Sequence, residues 1–460
     1  MGEVTTSPGN LLLHFTPNGA YGPGGKELLV LDRGEGAHVF DTAGRRYVDG
    51  LSSLFCAQIG YGYAEEMTAA AAEQLSRLPF NTNWATAHPA AIELAAALVE
   101  RAPEGIEAAF FTSGGSESVE TAWKLARQYH LGNGEPQRTK AIARDIAYHG
   151  VTLGALSFTG VPRFKEPFGR PAIETRHVSN TNRFRSPLQG EALTAALLEE
   201  LEAAIQEEGP DEVAIVIAEP IQNAGGCLVP PPGYWAGLRQ ICDRHGILLV
   251  ADEVISGCGR LGEWFAVERY GGRPDLITIA KGITSAYAPM GAVMVGDRVA
   301  AALREPGVTL LHGITFGGHP LAAAIALRNI EIFERDGVLE NVRAREPYLR
   351  RRLTEEVLPL PLVGDVRGDG FFFAAELTPD GGEGRFAPED VTRLVKEIVP
   401  RLLLEHGLIA RADDRGDPVL QIAPPLIADE ALLDEVVEAM RDTLAAAGEE
   451  IEVAEPISST

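Results

Sequence analysis

Val213-Ala214-Ile215-Val216-Ile217-Ala218-Glu219-Pro220 and Ile247-Leu248-Leu249-Val250-Ala251-Asp252-Glu253 are the two stretches on which the fold turns. Neither alternates apolar with polar residues. Unbroken Val/Ile/Leu runs of this length belong to strands buried on both faces, as in parallel sheets covered by helices. Tyr234–His245, between them, reads as a helix. Upstream, the acidic amphipathic helix Gly190–Glu208 stops at Gly209-Pro210, and downstream Leu276–Ala280 and Ala292–Gly296 repeat the apolar run. Further towards the start, Ala108–Thr112 and Ala141–Ile146 are strand-like, with a helical Ser116–Leu131 between them. Strands alternating with helices predict an α/β domain with a mostly parallel central sheet.

The flanks have a different texture. The first 60 residues are Gly-rich, with short strand-like pieces such as Ala37–Tyr47, which turns at Asp41–Gly44. Glu65–Arg101 is helical in pattern. After about residue 330, helical stretches (Leu339–Glu356, Pro388–Glu405, Asp429–Ala447) flank short strand runs at Phe371–Leu377 and Val419–Ile422. The expected division is an N-terminal segment over 1–60, a large domain over 61–328 and a smaller α+β domain over 329–460 that the N-terminal segment completes.

Acidic residues number 65 against 40 basic ones, a net charge of −25. Nucleic acid and anionic membrane are therefore excluded as main partners, because both require a basic footprint. Any phosphate must be held locally, by backbone N–H groups and a few side chains. The start, Met1 to His14, has no basic segment and only three consecutive leucines, so no secretory leader is expected there. No apolar run approaches the roughly 20 residues of a membrane helix. The four cysteines form no CxxC pair, so a reducing cytoplasm is the expected setting.

Gly257–Gly262, GCGRLG, matches G-x-G-x-x-G but leads into GEWFAV rather than a long helix, so it reads as a tight glycine loop. The ten histidines show no metal-ligand spacing; His312 and His319 read as loop packing, and no metal is expected. Three other features carry chemistry. Thr112-Ser113-Gly114-Gly115-Ser116 joins a strand to a helix, and small residues at a helix start let free N–H groups meet an anion. An ordinary helix cap reads equally well there. Glu219 and Asp252 each follow an apolar run, at the carboxyl end of a strand, where open α/β sheets bind ligands. Lys281, one of only six lysines, follows the run Leu276–Ala280 and has Gly282 beside it. A lysine at a buried strand end costs desolvation, and its pKa can fall until it is a nucleophilic amine. The bland alternative is a lysine that reaches solvent. A phosphate cradle, a carboxylate for a ring nitrogen and an imine-forming lysine together describe a site for pyridoxal 5′-phosphate.

On these residues, from about 11 to 445, the sequence resembles the class III, fold type I pyridoxal-phosphate aminotransferases, and most of all the ω-transaminases of the amine or β-alanine:pyruvate type. The resemblance implies the roles. Lys281 is the Schiff-base lysine. Asp252, 29 residues earlier, pairs with the pyridinium nitrogen. Val254 packs on one ring face and Tyr148, in Tyr148-His149-Gly150, on the other. Gly115 and Ser116 cradle the phosphate. Glu219 sits near the ring substituents. Thr315 reaches the phosphate of the neighbouring subunit, which implies a homodimer with shared active sites, or a tetramer of two such dimers. Phe15, Phe55 and Trp84 match or lie near positions lining the two substrate pockets. Arg411, ahead of Ala423-Pro424-Pro425, matches a mobile arginine that pairs with the carboxylate of pyruvate and swings away for an uncharged amine. For the aromatics core packing, and for Arg411 a surface ion pair, are the competing readings.

Three positions depart from the family's pattern. Phe55 stands where Trp is frequent, Asn83-Trp84 where an aromatic pair is common, and Ser113-Gly114-Gly115-Ser116 where Asn-Ser-Gly-Ser is frequent. The implied activity moves an amino group from an amine or ω-amino acid to pyruvate or another α-keto acid, with ping-pong kinetics. A class III racemase or aminomutase would use the same cofactor residues. A silent phosphate-binding α/β protein would have no use for a buried Lys281, and a nicotinamide dehydrogenase rests on GCGRLG alone.

Overall fold

Every residue of Val213–Ala218, Leu248–Asp252, Leu276–Ile279 and Gly291–Gly296 is buried, as the unbroken apolar runs require. Successive residues enter different cores: Val216 and Ala218 join one cluster, Ile215 and Ile217 the other. One cluster takes in Leu197 and Leu201 from the helix Gly190–Glu208, the other Val119 and Leu125 from the helix Gly115–Gly132. This period of two is the strand pleat expressed as two packed faces.

The computed structural model describes residues 7–21 and 24–452. The first six residues of the start read as leader-free, and the last eight of the 329–460 segment, lie outside the described residues. Among the described residues, the central sheet has seven strands. Their order is Ile106–Thr112, Gly291–Gly296, Leu276–Ile279, Leu248–Asp252, Val213–Ala218, Lys140–Arg144, Thr175–Val178. The sheet is mostly parallel, as expected; only Gly291–Gly296 runs against both of its neighbours. The register decides the chemistry. Ala218 lies opposite Ala251, so Glu219 and Asp252 leave adjacent strands at the same level. Asp252 lies opposite Thr278, three residues before Lys281.

Four antiparallel strands form a smaller sheet in the order Val363–Asp369, Phe372–Leu377, Val419–Ile422, Arg411–Asp413. The N-terminal strands Leu31–Glu35, His38–Asp41 and Arg46–Asp49 form a third, which Leu408–Ile409 joins in parallel.

Four boundaries differ from the sequence reading. Glu65–Arg101 is two helices, Ala64–Arg77 and Pro89–Glu100; Pro89 starts the second, and His88 accepts from the N–H of Ala91. Pro388–Glu405 contains a π-turn over Leu394–Ile398, just ahead of Pro400, which has no N–H to give the preceding turn. The strand Lys140–Arg144 stops short of Ile146, whose φ of 55° cannot continue it. Asp252 is the last residue of its strand rather than the first beyond it. GCGRLG is a turn, as expected. Its Arg260 is fully buried and donates to the carbonyls of Phe371 (3.3 Å) and Pro424 (2.6 Å) and to Ser52 Oγ (3.1 Å), tying three distant segments together.

His177, on the edge strand Thr175–Val178, meets the Phe158 carbonyl at 3.1 Å and Lys165 Nζ at 3.4 Å. Burial, and then Lys165, pull its imidazole down to about 4. In the unfolded chain the value is about 6.5. Below that pH the unfolded chain takes up a proton that the folded chain refuses until about pH 4. Stability should therefore fall between these limits, by at most about 3 kcal/mol, and level off below. Urea midpoints at pH 7 and pH 4.5 should differ less for His177→Gln than for the wild type; an equal difference would assign the effect to other groups.

Candidate active site

Lys281 opens a short 3-10 turn directly beyond the strand Leu276–Ile279, with a left-handed φ of 47°. A lysine in that region costs strain and is held there by its surroundings. Burial lowers the Lys281 ammonium from the usual lysine range, and the positive charge of Arg411 acts in the same direction. A larger share of neutral amine is available there than on an exposed lysine.

The two acids lie beside it. Asp252 is buried, and three donors orient its carboxylate while leaving acceptor capacity on Oδ2. His149 Nδ1–H donates to Oδ2 at 2.7 Å, Thr278 Oγ1–H to Oδ1 at 3.0 Å and the Val254 N–H to Oδ1 at 3.1 Å. Glu219 accepts the N–H of Asn223 at 2.9 Å and of Tyr148 at 3.3 Å. Burial raises its carboxyl above the usual range.

The helix Gly115–Gly132 begins on the same cleft. Ser118 Oγ fastens this start to the sheet through the Ile279 carbonyl at 3.1 Å, and Glu117 Oε2 accepts the N–H of Ser113 at 2.8 Å. The backbone comes close here for want of side chains. A Cβ on Gly115 would lie 2.8 Å from Val254 Cγ1. One on Gly150, whose φ is 113°, would lie 2.9 Å from the Cα of Ser116. Side chains at either position would fill the cradle.

Gly115, Ser116, Tyr148, Glu219, Asp252, Val254 and Lys281 thus line one cavity, all seven residues that the resemblance assigns to the cofactor within one chain. A second cavity, of about 620 Å³, adjoins it through Tyr148 and Lys281 and takes in Phe15, Phe55 and Arg411. Phe55 also serves the core: it is buried and meets Phe372 edge-on at 5.5 Å.

Trp84 and Thr315 line neither cavity. Trp84 lies on the connection between the two helices into which Glu65–Arg101 divides. Asn83 Nδ2 ties this connection to the Gly317 carbonyl at 3.0 Å, which sets Trp84 against Gly313, two residues from Thr315. Trp84, Leu311 and Phe316 are 60 %, 89 % and 60 % exposed. His312 packs on Phe110, the loop role expected of it, whereas His319 caps the helix Pro320–Arg335 by accepting the N–H of Leu321.

Sequence reasoning missed His149, which holds Asp252 from 103 positions away, and the two acids and one arginine of Asp413–Arg415 on the second cavity's wall. The only signal for His149 was its place beside Tyr148. The Nε2 of His149 is buried and has no hydrogen-bond partner among the described residues.

A family model described as aminotransferase class-III matches residues 20–444. The putrescine–pyruvate aminotransferase of Pseudomonas aeruginosa is 40 % identical, over 91 % of this chain and 91 % of that one. The crystal structure of an (S)-enantioselective omega-transaminase from Thermomicrobium roseum superposes with a TM-score of 0.89 at 40 % identity, covering 96 % of this chain and 97 % of the other. The omega transaminase of Pseudomonas jessenii, solved in complex with PMP, superposes with a TM-score of 0.89 at 32 % identity, covering 96 % and 98 %.

Proposed function

The chain belongs to the class-III aminotransferases, which depend on pyridoxal 5′-phosphate, and from that premise we propose that its paired cavities move an amino group from a small amine or ω-amino acid to pyruvate or a related α-keto acid. One observation carries this reading: an amine made more available by burial, Lys281, shares a cavity with Asp252, Glu219 and a helix start kept bare by Gly115 and Gly150.

The residues present fit the cofactor. When bound, it supplies an electron sink and the carbon that carries the amino group between substrates. The N–H groups of Gly115 and Ser116 would hold its phosphate at the positive end of the helix. Val254 and Tyr148 would flank its ring. Asp252, fixed by its three donors, would hold the proton on the ring nitrogen. Glu219 would meet the ring's polar substituents. Lys281 would supply the amine that links the cofactor to the protein and, once displaced by substrate amine, would move a proton as general base and then general acid.

Phe15 and Phe55 would bound the substrate on the outer cavity, and Arg411 would clamp a keto-acid carboxylate through its planar guanidinium. Thr315, among the exposed Trp84, Leu311 and Phe316, would reach the phosphate of a second copy, so the working unit is a homodimer with shared sites. The division at about residues 60 and 328 and the cytoplasmic setting, supported by four free cysteines, belong to the same reading.

The purified protein should carry a yellow band. An amine supplied alone should bleach it, and pyruvate should restore it. A band that no keto acid restores would overturn transamination in favour of a racemase or aminomutase.

A further inference from the structure

Besides Lys281, the outer cavity holds four arginine or lysine side chains and two acids on its wall, and the acids are shared unequally. Asp414 is taken by Arg163 at 2.5 Å and Lys396 at 2.9 Å. Asp413 lies between Arg411 and Arg415, and Arg415 has almost all of it. The Nε–H of Arg415 donates to Oδ2 at 2.8 Å and Oδ1 at 2.9 Å, its Nη2 donates to Oδ2, and its backbone N–H donates to Oδ1 at 3.0 Å. Both side chains of that pair are 2 % exposed. Arg411 Nε is 3.7 Å from Asp413 Oδ2, beyond hydrogen-bond reach, and its guanidinium makes no hydrogen bond among the described residues.

We propose that Arg415 is a specificity-determining residue for the carboxylated substrate: by occupying Asp413 it leaves Arg411 without a hydrogen-bonded counter-ion, so that a keto-acid carboxylate can complete that pairing. This rests on the reading of Arg411 as the carboxylate clamp. A buried carboxylate has a limited set of lone-pair directions, and Arg415 approaches it through both oxygens. Were Arg415 absent, Asp413 would be the nearest partner for Arg411, and the clamp would close on the protein's own acid. A substrate would then have to displace a hydrogen-bonded carboxylate to enter. A neutral amine makes no such demand and should be indifferent to the exchange. The Arg415 guanidinium also stands 5.5 Å above the Tyr148 ring, so a role in bracing the cofactor's flank is the competing explanation.

The test uses the loaded holoenzyme and three variants, Arg415→Gln, Arg415→Lys and the double variant Asp413→Asn/Arg415→Gln. The KM for pyruvate and that for an uncharged arylalkylamine are measured for each, together with the visible spectrum. Arg415→Gln should raise the pyruvate KM relative to the amine KM by about five- to tenfold, the scale of one partly exposed charge pair. Arg415→Lys, which keeps the charge next to Asp413, should recover part of that ratio. The double variant removes the competing acid as well and should bring the ratio back to within about twofold of the wild type, a coupling that independent sites would not show. A ratio unmoved in Arg415→Gln, a double variant no better than the single one, or a shifted spectrum with both KM values raised together would overturn the proposal. A wild-type protein that transfers no amino group to pyruvate would instead overturn the functional reading on which it rests.

Discussion

Lys281→Ala should fold, bind the cofactor without a covalent link and lose transamination by at least about 10³-fold. Proton transfer by a positioned side chain contributes about 10²–10⁴-fold on its own. In this cavity no other lysine is available to replace it, since Lys281 is the one lysine among its lining residues. The substitution also removes an ammonium from a buried strand end, where burial already disfavours the charge. Stability should therefore hold or rise, as it does when a functional but unfavourable group is deleted. Amine–pyruvate turnover and a thermal midpoint check both halves. A variant that keeps a tenth of the wild-type rate would remove Lys281 from the chemistry.

Asp252→Asn should have the next largest effect, a loss of about 10²–10³-fold in kcat, the scale for one oriented electrostatic group in a closed site. The change is isosteric but alters the hydrogen bonding. Thr278 Oγ1 and the Val254 N–H can still donate to an amide oxygen. His149 Nδ1–H would meet the amide NH2 instead of an acceptor, and a ring-nitrogen proton would lose its negative partner. The loss should fall on kcat more than on KM, because the charge matters while electrons move into the ring. Equal losses in KM alone would mean that Asp252 only helps to hold the cofactor.

The central sheet was legible because its strands are buried on both faces, so the composition of Val213–Ala218 and Leu248–Asp252 carries their environment. The acids were legible for the same reason: a carboxylate directly after such a run can only emerge at the strand's carboxyl end. Local sequence did not reveal the reversal of Gly291–Gly296, because an apolar run reads alike in either direction. Nor did it reveal contacts made by distant loops. His149 reaches Asp252, and Asn83 reaches Gly317, across the fold. Trp84 therefore leaves the cavities for an exposed patch, although its neighbourhood in sequence resembles a pocket wall. The pairing of Arg415 with Asp413 was hidden in a stretch that reads as solvated charge, and only burial distinguishes it from a surface ion pair.

Chemical reduction should trap the imine on Lys281. The holoenzyme should be reduced with borohydride, digested, and its cofactor-bearing peptide identified by mass. One modified site is expected, Lys281, with the label absent when amine has first bleached the yellow band. A label on any of the other five lysines, or none on a protein that carries the band, would remove Lys281 from the imine.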